Sequence, residues 1–292
     1  MNDSISKYLM MRSLIYNNNL FDNKTLKGLV EGATLSCDSL VSTIGVKMYA
    51  EDAANVFAGA KRVELSNGAA WITDSLRIPS WTVCNPEIRL EAENSSLWSV
   101  YDNINGAPVV KEVTRQNEEV LGRVSNDYYV EMEPQSSSVN PEMFFYLPDV
   151  RSTDYNIYIV FVPANINSKY YPGELKANNF DITLGYVDEK GAFKQKTLST
   201  VSTHVDSLKT GEGYTAKVDT VLAGELFFPV SFLGLSSGAT RYSPFLRLRS
   251  RVTNADAAMY DRTLRVDCII LRPKELENYI SEHPDYKYDR GR

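Results

Sequence analysis

The stretch "YNIYIVFVP", residues 155–163, constrains the fold more than any other part of this sequence. Side chains of a strand alternate between two faces, and here both sets are apolar. Tyr155, Ile157, Ile159 and Phe161 form one set, and Tyr158, Val160 and Val162 the other. A strand with no water-loving face has to lie inside a sheet and be covered on both sides. Similar runs recur with turn signals between them: "EIRLEAE", "PVVKEV", "DYYVEME", "MFFYLP", "FDITLGYVD", "FKQKTLS", "TAKVDTVL", "ELFFPVSF", "FLRLRSRV" and "LRVDCIILRP". Asp188-Glu189-Lys190-Gly191 reads as a hairpin turn between two of them. With no convincing helix among these runs, residues 85–273 are expected to form a jelly-roll β-sandwich. Residues 80–84 read as a linker, and residues 274–292 as a charged tail with a short helix and a frayed end.

A chain of 292 residues is long enough to bury two cores, and 43% hydrophobic with 23% charged residues is the composition of a folded protein. The net charge of −6 carries no basic run, which argues against nucleic acid as a partner. Cys37, Cys84 and Cys268 are too few and too far apart for a disulfide framework or a zinc spacing. Cys268 reads as a small core residue, sharing one face with Leu264, Val266 and Ile270. No apolar run is long enough for a membrane helix, so membrane attachment is expected only through an anchor not present in this chain.

Before Pro79 the texture differs. Ile5, Tyr8, Leu9 and Ile15 recur near helical spacing, with Asp3 or Ser4 as a cap, and "TIGVKMYA" and "AKRVELS" read as short strands. Asn67-Gly68 predicts the two central residues of a tight hairpin turn leading into "AAWITDSLRIP". Asn67, Gly68, Ile72, Asp74, Leu76 and Pro79 together resemble the closing segment of a fasciclin-like domain, and "LVSTIGVKMYA" is similar to that family's middle strand pair. Tyr16-Asn17 stands where the family has a Tyr-His pair, and Trp71 where a histidine follows Asn-Gly. The resemblance implies a truncated α+β fasciclin-like part over residues 1–79, with the chain starting partway through a domain.

"EIRLEAENSS" and "LRVDCIILRP" resemble the first and last strands of a carbohydrate-binding-module-like (galactose-binding-like) sandwich. In such modules acidic groups of these two strands hold a structural calcium, which nominates Glu91, Glu93 and Asp267. The plainer reading makes them solvated strand ends balanced by Arg89 or Arg265. Arg247, Arg249 and Arg251 recur at period two, as a row that would suit a uronic acid, a sulfated glycan or an acidic partner, or as an exposed face paired across the sheet. Trp98, Tyr101, Tyr170 and Tyr171, in loop-like surroundings, are candidate sugar-stacking rings or loop anchors. "GLSSG" (234–238) has the G-x-S-x-G form of a nucleophile elbow, but a strand follows it where that elbow needs a helix. Ser236 with His283 is therefore not expected to act as a hydrolase.

These readings favour a non-catalytic bacterial surface or adhesion protein, extracellular and anchored to the outer membrane in its full-length form, that recognises a glycan or a partner surface protein. A structural spacer without a ligand is the alternative, and calcium is the only cofactor nominated.

Overall fold

A computed structural model describes residues 3–15, 39–43, 46–66, 68–168, 175–198, 200–203, 216–232, 243–286 and 288. The chain divides into two compact units, Met1–Pro86 with Asn278–Asp289, and Glu87–Glu277 with Arg290–Arg292.

The first unit is α+β. A helix over Asp3–Ser13 is followed by a hairpin of β1 (Ser39–Val41) and β2 (Lys47–Tyr49). A helix over Ala50–Phe57, not anticipated from the sequence, leads into a second hairpin of β3 (Lys61–Leu65) and β4 (Gly68–Ile72). Met48, Ala53 and Val56 form its small core, with Leu14, Phe57, Trp71 and Ile78 packed against them. The β3–β4 turn is offset by one residue from expectation. Gly68 pairs with Leu65 and belongs to the ladder, while Asn67 lies outside the described residues.

Residues 80–84 are a helical turn over Ser80–Val83 rather than a linker. The C-terminal stretch is also more than a charged tail. It carries a helix over Lys274–Glu282, and Asn278–Asp289 belong to the first unit. Tyr279 packs on Trp81 with ring centroids 4.9 Å apart, and the Tyr286 hydroxyl donates to the buried Asp52 carboxylate at 2.7 Å. The unit therefore draws on both ends of the chain.

The second unit is the expected two-layer sandwich. One sheet runs β14 (Asp219–Phe227), β10 (Asp154–Phe161), β17 (Leu264–Pro273), β8 (Tyr128–Met132), β7 (Val109–Glu112), with β5 (Ile88–Glu91) also paired to β17. The other runs β12 (Phe193–Thr197), β11 (Ala177–Val187), β15 (Phe245–Ser250), β9 (Glu142–Tyr146), β6 (Trp98–Asp102). The short β13 (Val201–Ser202) and β16 (Tyr260–Asp261) pair with β11.

As its two apolar sets require, β10 lies between β14 and β17. Tyr155, Ile157, Ile159 and Phe161 enter the core between the sheets, against Phe180, Ile182, Leu246 and Leu248 of the facing sheet. Val160 joins a smaller cluster on the outer side with Cys268 and Ile270. The "DEKG" turn joins β11 to β12, with Asp188 Oδ1 accepting from the Lys190 and Ala192 amides at 2.9 and 2.8 Å. "TAKVDTVL" and "ELFFPVSF" contribute to one strand, β14, with Gly224 at φ 151° inside it.

One irregularity positions a site. Along β10, Val160 pairs with Cys268 and Phe161 with Val266, leaving Asp267 as the extra residue of a β-bulge. The bulge reverses the side-chain phase of β17, which corrects the sequence reading. Leu264 and Val266 share the main core with Ile269 and Leu271, whereas Cys268 and Ile270 face the opposite way.

Candidate functional site

At the bulge β17 also changes partners. Residues 264–266 pair with β8, and residues 268–271 with β5. Asp267 sits at this junction, 2% exposed, and the strand reading brings Glu91 and Glu93 to it from β5 and the residue pair beyond. The Ser125 amide donates to both Asp267 oxygens at 3.1 Å, while the Ser125 hydroxyl donates to Glu91 Oε1 and the Asn126 side-chain amide to Glu93 Oε1, each at 3.0 Å. Asn126 and Asp127 hold positive φ in the turn that supplies these donors.

Among the described residues, two carboxylate oxygens, Glu91 Oε2 and Glu93 Oε2, are buried without a hydrogen-bond partner. Burial raises the Asp267 carboxyl from 3.8 to about 7, against the Ser125 amide, with Glu91 adding repulsion. Glu91 is raised by the same desolvation, against Ser125 and Arg89. Among the described residues, Arg89 is the guanidinium set against these three acidic groups.

Ligand atoms of Glu91, Asp267 and Cys268 lie within 4.8 Å of one another. The Cys268 thiol is pushed well up by burial and accepts a contact from Arg89 Nη1 at 3.3 Å, so it stays a neutral, soft sulfur. The donors available to a cation are hard carboxylate oxygens, the set that calcium prefers and zinc does not.

The other nominated residues lie elsewhere. Trp98 and Tyr101 stand on strand β6 rather than in a loop. Trp98 packs against the inter-sheet core, and its indole N–H donates to the Ala92 carbonyl at 2.8 Å, so it is an anchor and not a sugar platform. Tyr101 is exposed at the sheet edge. Tyr170, Tyr171 and Ser236 lie outside the described residues. His283 stacks on Tyr279, with ring centroids 4.1 Å apart.

Arg247 and Arg249 project from the outer face of β15, with Arg251 one residue beyond the strand. All three are paired across the sheet. Arg247 donates to Thr183 Oγ1 at 2.9 Å and lies 3.9 Å from Glu142; Arg249 lies 3.8 Å from the same carboxylate; Arg251 bonds Asp181 at 3.3 Å and also Thr200.

Beside them is a group of aromatics that the sequence reading missed. Phe193 of β12 and Phe245 of β15 are 5.8 Å apart by ring centroid, and Phe245 and Phe144 of β9 are 5.1 Å apart. Gly185 of β11 lies beneath them. A Cβ there would come within 2.5 Å of Phe245 and 2.6 Å of Phe193, so the two rings close over the space that only glycine leaves. These rings are half-buried, and Tyr146 is the register partner of Phe245. The signal was present in "MFFYLP". Met143, Phe145 and Leu147 already fill the inner set, so Phe144 and Tyr146 must face out.

No known family profile matches the chain, and no curated protein does; the fasciclin-like resemblance thus rests on its motif alone. Among solved structures the chain is similar to a Paenibacillus xanthan lyase, at 14% identity and TM-score 0.38 over 70% of this chain and 15% of that one. It is also similar to the CBM22-2 xylan-binding domain of Paenibacillus barcinonensis Xyn10C, at 12% identity and TM-score 0.32 over 64% of this chain and 98% of that one. A family 35 carbohydrate-binding module from Clostridium thermocellum gives 11% identity and TM-score 0.28 over 63% of this chain and 96% of that one. Likenesses this low assign neither a family nor a ligand.

Proposed function

We propose that the protein recognises a glycan at a cell surface through the outer face of its seven-stranded sheet, by binding and without chemistry on the ligand. The observation that carries this reading is the group of half-exposed rings of Phe193, Phe245 and Phe144 on a rigid sheet. Polar side chains of Thr183, Arg247 and Glu142 flank it. Sugar rings offer C–H faces that stack on aromatic planes and hydroxyls that need fixed polar partners, and this face supplies both. Strands hold such groups more firmly than loops do. The sandwich likeness to carbohydrate-binding modules is in keeping with this reading but does not carry it.

The acidic cluster belongs to the same reading as a structural metal site. Glu91, Glu93 and Asp267 would bind calcium, which would satisfy the orphaned carboxylate oxygens and tie β5, the bulge of β17 and the 125–127 turn together.

The test of recognition is a glycan array probed with the full chain and with Phe245→Ala and Phe193→Ala. The wild type binds a defined subset of glycans, and both variants lose that signal. Absence of wild-type binding, which would favour a spacer role, or equal binding by the variants, would overturn the reading.

A further inference from the structure

Resting on that reading of the sheet face, we propose that its ligand is an uncharged glycan, with the arginine row acting as a hydrogen-bonding frame and not as an anion receptor. Strand register carries the argument. Asp102 of β6, Glu142 of β9, Arg249 of β15 and Asp181 of β11 follow one another directly across the sheet. Arg247 and Arg251 flank this row from the same strand and its extension. Among the described residues, three guanidiniums thus share the patch with three carboxylates, which leaves it without a cationic excess.

Two of the three guanidiniums are also hydrogen-bonded, while Arg249 reaches Glu142 only at 3.8 Å with about half its side chain exposed. Thr183 accepts from Arg247 at 2.9 Å, and Asp181 takes both Arg251 at 3.3 Å and the Thr200 hydroxyl at 2.6 Å. A uronate or sulfate at Arg249 would bring its charge beside the neighbouring Glu142 and Asp181, and at Arg251 it would have to displace Asp181. A neutral glycan meets no such barrier. Its hydroxyls both donate and accept, so they can add to Glu142 or Asp181 and to an arginine without breaking a pair.

The apolar part of the face points the same way. Phe193, Phe245 and Phe144 carry no polar atom, and their line runs across β12, β11, β15 and β9. Arg247 lies two residues along its strand from Phe245, about 7 Å away at the rise of a strand. A chain lying across the strands would rest its C–H faces on the rings, with its hydroxyl edges turned to this polar bank. Gly185 sets the height of the floor, since any Cβ there would push both rings outward.

The experiment is native affinity electrophoresis of the full chain through gels holding galactomannan, mixed-linkage β-glucan, polygalacturonate or dextran sulfate, at low and high salt. Retardation is expected in at least one of the two uncharged polymers, equal at both salt levels and lost in Phe245→Ala and Phe193→Ala. Arg247→Gln is expected to weaken it without making an anionic polymer effective. Retardation by polygalacturonate or dextran sulfate that high salt and Arg247→Gln abolish would overturn the neutral assignment while leaving the face as a glycan site. Retardation by none of the four, or retardation that both phenylalanine variants retain, would overturn the face itself. A wild-type melting temperature in Phe193→Ala, on an edge strand, separates lost binding from lost folding.

Discussion

Removing divalent cations should give the sandwich a stability that falls as pH rises. In the folded chain the Asp267 carboxyl is raised from 3.8 to about 7, chiefly by burial. Below the lower value the group is protonated in both the folded and unfolded states. Between the two values only the folded state holds the proton, so folding becomes progressively less favourable, and the loss is complete above about pH 7. The span between the two values corresponds to roughly 4 kcal/mol, and Glu91 shifts in the same direction. For a unit of this size that is on the order of a 10 °C fall in melting temperature. Calcium supplies the missing countercharge and competes with the proton, so with calcium the melting temperature should hold or rise over the same range.

The assay is a thermal melt in chelator and in calcium at steps from about pH 5 to about pH 8. The gap between the two curves should open with pH and vanish in Asp267→Asn. A chelated protein whose melting temperature is flat over this range, and which calcium leaves unmoved, would refute the reasoning.

Three further outcomes follow from the packing. Gly185→Ala should cut glycan affinity, because the added Cβ would press on the edge of the Phe245 ring and the tip of the Phe193 ring and both must shift; titration calorimetry reads the loss. Tyr286→Phe removes a hydrogen bond to the buried Asp52 and should cost about 1–3 kcal/mol in the first unit, seen as faster hydrogen exchange over residues 46–83. Cys268 should resist a thiol reagent in the native state and react only on unfolding, being fully buried with its thiol pushed up; modification at the native rate of an exposed thiol would contradict this.

The sandwich was legible because its central strand carries two apolar sets, and the Glu91, Glu93 and Asp267 cluster because resemblance linked the first and last strands. The details that failed share a cause: each depends on a partner strand that period-two counting cannot see. The bulge at Asp267 turned Cys268 away from Val266, and a register shift between Trp98 and Val100 hid β6 inside a segment that reads as a loop. Gly224 interrupts β14, so one strand looked like two. Alternation in "MFFYLP" turns Phe144 outward, but which rings it meets there is hidden for the same reason. Phe144, Phe193 and Phe245 are far apart in sequence and meet only through the β9–β15–β11–β12 register. The helix over Ala50–Phe57 has only eight residues, too few for its spacing to stand out beside two hairpins.

The claim that the sheet face is the recognition surface is tested most directly by ring-labelled phenylalanine NMR during titration with whichever uncharged polymer binds. The account predicts that the ring signals of Phe144, Phe193 and Phe245 shift with saturating behaviour while those of the buried Phe145, Phe161 and Phe180 stay in place. Saturable binding that leaves the three outer rings unmoved would contradict it.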